Sequence, residues 1–140
     1  MADIFKNQPI LSASTASVVG SPVQVSMTAA LSVTVIVSVS AATLDADVVF
    51  TGTNDSARAL DLTSTLPPLT TGTVITSPVP NPSVTYTAAT GVLSFANLAI
   101  GTYEVTVAFT SWPTWFRAQY DYSTGGGSVD LRVVLGAWSV

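Results

Sequence analysis

Apolar and polar side chains alternate without a break along residues 23–40, the stretch VQVSMTAALSVTVIVSVS. Every odd position from Val23 to Val39 is apolar, whereas the even positions are mostly Ser, Thr or Gln. A period of two residues predicts a β-strand with one buried face, because successive side chains point to opposite faces. As one strand, these seventeen residues would extend about 56 Å, well beyond the ordinary length. We therefore predict two shorter strands joined by a bend at Ala29-Ala30, or one strand that passes between sheets.

The same segment lies in a long interval without charge, between Lys6 and Asp45, so a membrane-spanning helix has to be considered. A period of two would place apolar groups all round a helix without a coherent stripe. β-Branched residues also dominate the segment, and these favour strands. The pattern therefore predicts a strand and not a helix.

Similar alternation marks the C-terminal part of the chain. GTYEVTVAFT predicts a strand with one apolar face (Tyr103, Val105, Val107, Phe109) and one polar face (Thr102, Glu104, Thr106, Thr110). VDLRVVLGAWSV predicts a last strand that buries Val129, Leu131, Val133 and Leu135. We expect the glycines at 125–127 to form a flexible turn that leads into this strand. SVTYTAATGVLSFANL predicts a hairpin that turns at residues 89–91, where Gly91 can adopt a positive φ. The five prolines in residues 63–83 predict a long loop with one short strand at residues 73–76.

No segment shows a 3.6-residue apolar period. The sequence therefore predicts an all-β fold, a two-sheet antiparallel β-sandwich of about eight strands. A chain of 140 residues suits one domain. We expect a single β-sandwich domain over residues 9–140, preceded by an extended N-terminal arm, residues 1–8.

Composition narrows the range of functions. The chain has no cysteine and no histidine, which removes disulfides, thiolate chemistry, the usual general base and the commonest transition-metal ligand. Only 9% of residues are charged, against about a quarter in an average soluble domain. The net charge of −4 argues against nucleic acid and an anionic membrane as partners. We expect no enzyme activity, no catalytic residues and no cofactor.

The eight carboxylates form no recognisable catalytic or metal-binding pattern. Asp45 and Asp47 precede Asn54-Asp55, and oxygen-rich loops of this kind can hold Ca²⁺, but the spacing fits no EF-hand. Solvated loop acids are the preferred interpretation, so we predict no metal site. The N-terminus lacks the pattern of a secretory signal, so we expect synthesis in the cytoplasm of the producing cell.

Residues 111–128, SWPTWFRAQYDYSTGGGS, depart most from this background, because aromatic residues crowd around one arginine. Three interpretations are open: a contact surface, a plug for the open end of the core, or a sugar-binding site. Trp, Tyr and Arg dominate the energetics of interfaces, so we take the contact surface as the working hypothesis. Near the two termini lie further apolar anchors. The predicted interaction residues are Ile4, Phe5, Trp112, Trp115, Phe116, Arg117, Tyr120, Tyr122 and Trp138.

Two resemblances bear on identity. GVLSFANLAIGTYEVTVAF, about twenty residues, resembles the closing hairpin of Ig-like and prealbumin-like β-sandwich modules. The whole chain, free of cysteine and rich in Ser, Thr and Val, resembles small structural proteins of tailed-bacteriophage virions, which are β-sandwiches with a short N-terminal arm. The second resemblance implies a capsid decoration or cement protein, a homo-oligomer with a trimer favoured, bound to the major capsid protein or other virion subunits and located in the virion. The alternatives are a carbohydrate- or receptor-binding module of a tail fibre and a tail-tube or connector subunit.

Overall fold

A computed structural model describes residues 4–26, 28–76 and 82–137. These residues form nine strands and one short helix. The elements are β1 (Ile4–Ser14), β2 (Val18–Val19), β3 (Val23–Gln24), β4 (Thr28–Thr53), α1 (Ser56–Leu60), β5 (Gly72–Thr76), β6 (Val84–Thr87), β7 (Val92–Leu98), β8 (Gly101–Phe109) and β9 (Trp115–Ala137). The prediction of an all-β fold is confirmed.

Two long antiparallel strands, β4 and β9, form the spine of the molecule. They pair from Thr28 opposite Ala137 to Thr53 opposite Trp115, with several shifts of register between. In the first half of the sheet, β1 pairs with β9, β8 pairs with β4, and β5 pairs with the far side of β8. In the second half, β2 and β3 pair with β9, β7 pairs with β4, and β6 pairs with the far side of β7. All nine strands therefore belong to one hydrogen-bonded sheet, so the predicted division into two sheets is not observed.

The two halves meet at a bend where the register of β4 against β9 shifts, between Val39 and Asp45. Ala42 has a φ of 65° and Gly125 a φ of 107°, both in the left-handed region. The stretch 23–40 is divided between two strands, since β3 ends at Gln24 and β4 begins at Thr28, and the register of β4 against β9 also shifts between Thr28 and Ala30. The bend between the two halves lies about twelve residues beyond Ala29-Ala30. The glycines at 125–127 sit within β9 at this bend, and not in a turn before the last strand as predicted.

The inner faces of the two halves share one core. In the first part of β4 the buried positions are odd, from Leu31 to Val39, as the alternation predicts. Beyond the bend they become even, from Leu44 to Phe50, because the irregular residues shift the phase of alternation. Phe109 of the first half lies 5.8 Å from Phe50 of the second, ring centre to ring centre. The bent sheet therefore folds its two inner faces onto each other.

Several smaller predictions can be compared with the structure. The inward faces of β8 and β9 are confirmed at Val105, Val107, Phe109, Val129, Leu131 and Val133. The hairpin of β6 and β7 is also confirmed, with Gly91 at a φ of 65°. The expected closing hairpin of β7 and β8 is not formed, because the two strands do not pair with each other. Both pair with β4, β7 on one side of the bend and β8 on the other, so the turn between them passes from one half of the sheet to the other.

The N-terminal segment is extended but is not a free arm, because β1 pairs with β9 from Ile4 onwards. Helix α1 was not predicted. Its sequence signal is Asp55, whose carboxylate accepts hydrogen bonds from the N–H groups of Ala57 (3.0 Å) and Arg58 (3.4 Å) as an N-cap. The helix and the loop after it cross the outer face of the second half, which positions the features described next.

Candidate functional site

From Trp115 onwards the aromatic segment belongs to strand β9, whereas Trp112 lies in the connection just before it. Its side chains alternate, so that Phe116 and Tyr120 point inward and are fully buried. Phe116 stacks on Phe50 at 6.1 Å between ring centres. Arg117 points to the outer face, yet is only 3% exposed. Burial within the chain leaves Phe116, Arg117 and Tyr120 without a surface to offer, so the predicted contact surface is wrong for these three residues.

The remaining rings of the segment are half-buried. Trp112 donates a hydrogen bond from its indole N–H to the carbonyl of Val25 at 3.0 Å, and Tyr122 donates one from its hydroxyl to the carbonyl of Gly125 at 2.5 Å. Both rings pack against the core. These contacts fit the alternative interpretation, in which the rings close one end of the core.

The predicted apolar anchors near the termini are Ile4, Phe5 and Trp138. Ile4 and Phe5 lie in β1 opposite Ala137 and Gly136, and their side chains are outside the described part of the structure. Trp138 also lies outside the described residues.

Arg117 fastens the crossing segment, residues 55–66, to the sheet. One terminal nitrogen, Nη1, donates to the carbonyl of Asp61 at 3.0 Å and, at 3.4 Å, to the carbonyls of Arg58 and Ala59. The other, Nη2, donates to the carbonyl of Ser64. The carbonyls of Arg58 and Ala59 lie in the last turn of α1, that of Asp61 at its C-cap and that of Ser64 in the loop beyond, where unpaired C=O groups favour a cation. The side chain of Arg117 therefore donates hydrogen bonds to four backbone carbonyl groups at the end of the helix and in the turn after it.

The electrostatics of this turn follow from its hydrogen bonds. Burial lowers the pKa of Arg117, and the charge of Asp61 opposes that shift. The pKa of Asp61 is itself lowered, first by hydrogen bonds from the side chain and backbone N–H of Thr63 and then by the hydroxyl of Ser64. The loop is thus ordered by one carboxylate at its surface and one guanidinium beneath it.

Beyond the crossing segment, the outer face of the second half forms a groove of about 470 Å³. Its floor follows the cross-strand pairs of β4 and β9: Thr51 opposite Arg117, then Val49 opposite Gln119, then Asp47 opposite Asp121. Val19 of β2 extends the second row, opposite Gln119. The groove is lined by Val19, Val49, Thr51, Leu62, Thr63, Ser64, Thr65, Leu66, Arg117, Gln119 and Asp121. We call this the outer-face groove.

The outer-face groove is electrically asymmetric. Arg117 lies at the end covered by the crossing segment, whereas Asp121 lies at the open end with Asp47 directly across the strand pair. Carboxylates opposite each other on one face of a sheet repel. Gln119 donates its amide N–H to Asp121 at 2.9 Å, which orients that carboxylate but adds no charge. Between the two ends, Val19, Val49 and Leu62 provide apolar walls.

Asp45 has a structural role. Asp45 accepts a hydrogen bond from the backbone N–H of Asn97 at 3.0 Å and one from the hydroxyl of Thr124 at 3.2 Å, which fastens the bend. Among the described residues, no group of three or more acidic side chains is placed to hold a metal ion. In the same part of the chain, no helix has the length and apolar character needed to cross a membrane.

Sequence reasoning missed both the Arg117 cluster and the outer-face groove. The signal for the groove was present in the spacing, because Arg117, Gln119 and Asp121 share one face as soon as the segment is assigned to a strand. No sequence signal shows that residues 55–66 cross that face. Compared with protein-family models, with curated proteins and with solved structures, the chain matches none.

Proposed function

We propose that the chain is a structural protein of a tailed-phage virion, a decoration protein that associates with the head and with itself, with a trimer as the favoured oligomer. The proposal needs a surface that can be covered at low cost in desolvation. It rests on one observation, the scarcity of charge on the surface of the folded chain.

The chain has twelve charged side chains for an accessible surface of 6979 Å², or at most about one for every 580 Å², and one of the twelve, Arg117, is buried. A domain of the same size with a quarter of its residues charged would carry about one for every 200 Å². Covering a charge without pairing it is costly, whereas covering hydroxyl and aliphatic groups costs much less. A surface with so few charges favours permanent association with other protein subunits.

The accessible surface area of the chain supports a subunit that is already folded when it binds to the phage head. A compact monomer of 14.4 kDa is expected to expose about 6,800 Å², close to the value for this chain. The chain therefore closes its own core without a partner. This favours a protein that folds first and then binds to a preformed shell.

The uncharged β4 row on the outer face of the first half is a suitable contact surface, with Glu104, Asp130 and Arg132 in the rows beside it. Its outward side chains on β4 are Ser32, Thr34, Ile36 and Ser38, all half-buried among their neighbours. The hydroxyls of Thr34 and Thr106 are 3.2 Å apart and bond to each other across the strands. Groups that already have partners within the sheet lose little when a second protein excludes water from them.

Heat stability of phage heads that lack the protein tests the proposal. Adding the purified protein is expected to raise the temperature at which these heads rupture, and light scattering is expected to give an oligomer mass. Ser32→Lys places an unpaired charge on the outer face of the first half, opposite Ala108 and Val134, and should reduce head binding at least tenfold with little change in melting temperature. The matched control is Leu60→Lys on α1, which is 62% exposed and should bind normally.

Two results would count against a head protein. Heads that rupture at the same temperature with and without the protein would contradict the decoration role. Binding to purified tails, with none to heads, would instead indicate a tail-tube or connector subunit.

A further inference from the structure

We propose that the outer-face groove is a docking site for a lysine side chain presented by a protein partner. The inference does not depend on the virion role, because it follows from the shape and charge of the groove alone. Three features of the groove support it: the negative charge of the open end, the apolar walls, and the positive charge of the covered end.

The open end of the groove favours a cation. Asp121 lines the groove, and Asp47 faces it from the adjacent strand on the same face. Bringing two carboxylates together in this way is unfavourable unless a positive group lies between them. The hydrogen bond from Gln119 to Asp121 comes from an uncharged amide, so it adds no positive charge between the two carboxylates. An ammonium group bound to Asp121 at this end would lie near Asp47, which borders the groove without lining it, and would reduce the repulsion between the two carboxylates.

The walls of the groove favour an aliphatic chain behind that ammonium. Val19 and Val49 lie in one cross-strand row with Gln119, and Leu62 overhangs them from the crossing segment. Leu62 is 44% exposed and Val18, beside Val19, is 42% exposed, so apolar surface continues to the rim. Lysine buries its four-carbon stem against apolar surface and keeps its charge at the tip, which matches this sequence of surfaces.

The covered end excludes a free diamine as the preferred occupant. Arg117 lies there with its charge fixed against the carbonyls of the crossing segment. A second ammonium, at the far end of a diamine, would approach that guanidinium. A lysine residue has a neutral backbone at the end opposite its ammonium, so only its single charge has to be accommodated. This polarity selects a side chain of a polypeptide.

Titration of ¹⁵N-labelled protein with N-acetyl-lysine N-methylamide tests the proposal. We expect saturable amide shifts at Val19, Val49, Gln119 and Asp121, with half-saturation below about 50 mM. A dissociation constant of 50 mM corresponds to about 1.8 kcal/mol of binding free energy. N-acetyl-norleucine N-methylamide, which lacks only the charge at the tip, should bind at least threefold more weakly. Ammonium chloride at equal ionic strength should not reproduce the shifts.

Isosteric variants locate the interaction. Asp121→Asn should raise the dissociation constant about threefold, and the double variant with Asp47→Asn about tenfold, in keeping with partly exposed ion pairs. Glu104→Gln makes the same change of charge on an exposed site of β8, on the other half of the sheet, and should leave binding unchanged. All variants should retain the dispersion of the wild-type spectrum, because the altered side chains are at the surface.

Several results would overturn the inference. Absence of saturation, shifts spread over all acidic residues, or equal weakening by Glu104→Gln would each show that the groove has no special affinity for a cation. Equal binding of the norleucine compound would show that the carboxylates play no part. Binding of cadaverine at least tenfold tighter than that of the lysine compound would replace the polypeptide by a free diamine.

Discussion

Replacing Arg117 by methionine tests the assignment of this residue to the interior of the chain. Methionine keeps much of the length and apolar volume of arginine but has no N–H donors. In the variant, the carbonyls of Asp61 and Ser64 lose the donors that now hold them to the outer face of the sheet. The crossing segment should therefore loosen while the strands beneath it remain paired.

The size of the effect follows from the two main bonds. A hydrogen bond from a charged donor contributes about 1.5–3 kcal/mol, which gives about 3–6 kcal/mol for the bonds to Asp61 and Ser64. Asp61 is exposed and Ser64 half-buried, so water can replace part of what is lost. We expect Arg117→Met to lower the free energy of unfolding by about 2–4 kcal/mol, which corresponds to a melting temperature roughly 10 °C lower.

Urea denaturation followed by tryptophan fluorescence measures this change, and hydrogen exchange locates it. The amides of Ala59 and Asp61, which bond to the carbonyls of Asp55 and Ala57 in α1, should exchange faster in the variant. The matched control is Arg58→Met. Arg58 is exposed and donates to the carbonyl of Thr65 at 2.7 Å, so its loss should cost about 1 kcal/mol or less. If both variants unfold within about 0.5 kcal/mol of the wild type, the reasoning about Arg117 is refuted.

Three further predictions concern the core, the bend and acid stability. Val107→Asp should prevent folding, because it puts an unpaired charge in a fully buried site, whereas the Thr106→Asp variant, changed on the outer face, should fold. Circular dichroism distinguishes the two outcomes. If neither variant folds, β8 is covered on both faces. Gly125→Ala should cost about 3 kcal/mol or more by denaturant unfolding, since its φ of 107° disfavours a side chain and the added methyl would collide with the facing strand; wild-type stability would contradict the proposed geometry of the bend. Because the pKa of Asp61 is lowered in the folded state, its contribution to stability is present above about pH 4 and is lost as the pH falls through the folded-state pKa. The melting temperatures of the wild type and of Asp61→Asn should therefore differ at pH 6 and converge near pH 2. A difference that stays constant with pH would exclude this role.

The strands could be predicted where one face is apolar and the other polar. The inward residues of β8 and of the last part of β9 follow directly from alternation, since the period of two is a local property of the chain. The hairpin of β6 and β7 was equally local, because Gly91 allows the turn that joins two short alternating runs.

The bend and the site could not be obtained in the same way. Alternation along β4 changes phase near Ala42, but the sequence there, SAATLDAD, reads equally well as the start of a new strand. The glycines at 125–127 resembled a turn because a glycine-rich run in isolation favours one, and only their pairing with the bend of β4 keeps them inside β9. Long-range pairing decided both cases.

Three residues of the aromatic segment, Phe116, Arg117 and Tyr120, are not available as a contact surface for the same reason. Phe116 and Tyr120 are two residues either side of Ala118, which is the spacing of one strand face, and that face turned out to be the inner one. Arg117, at an outward position, would normally be exposed. It is buried because residues 55–66 cross over it, which no pattern near Arg117 reveals.

Co-sedimentation of the purified protein with phage heads that lack it, in parallel with isolated tails, tests the central claim most directly. The account predicts saturable binding to heads, at a fixed number of copies per major capsid protein, and no binding to tails. Absence of binding to heads at protein concentrations of tens of micromolar, or saturable binding to tails alone, would contradict it.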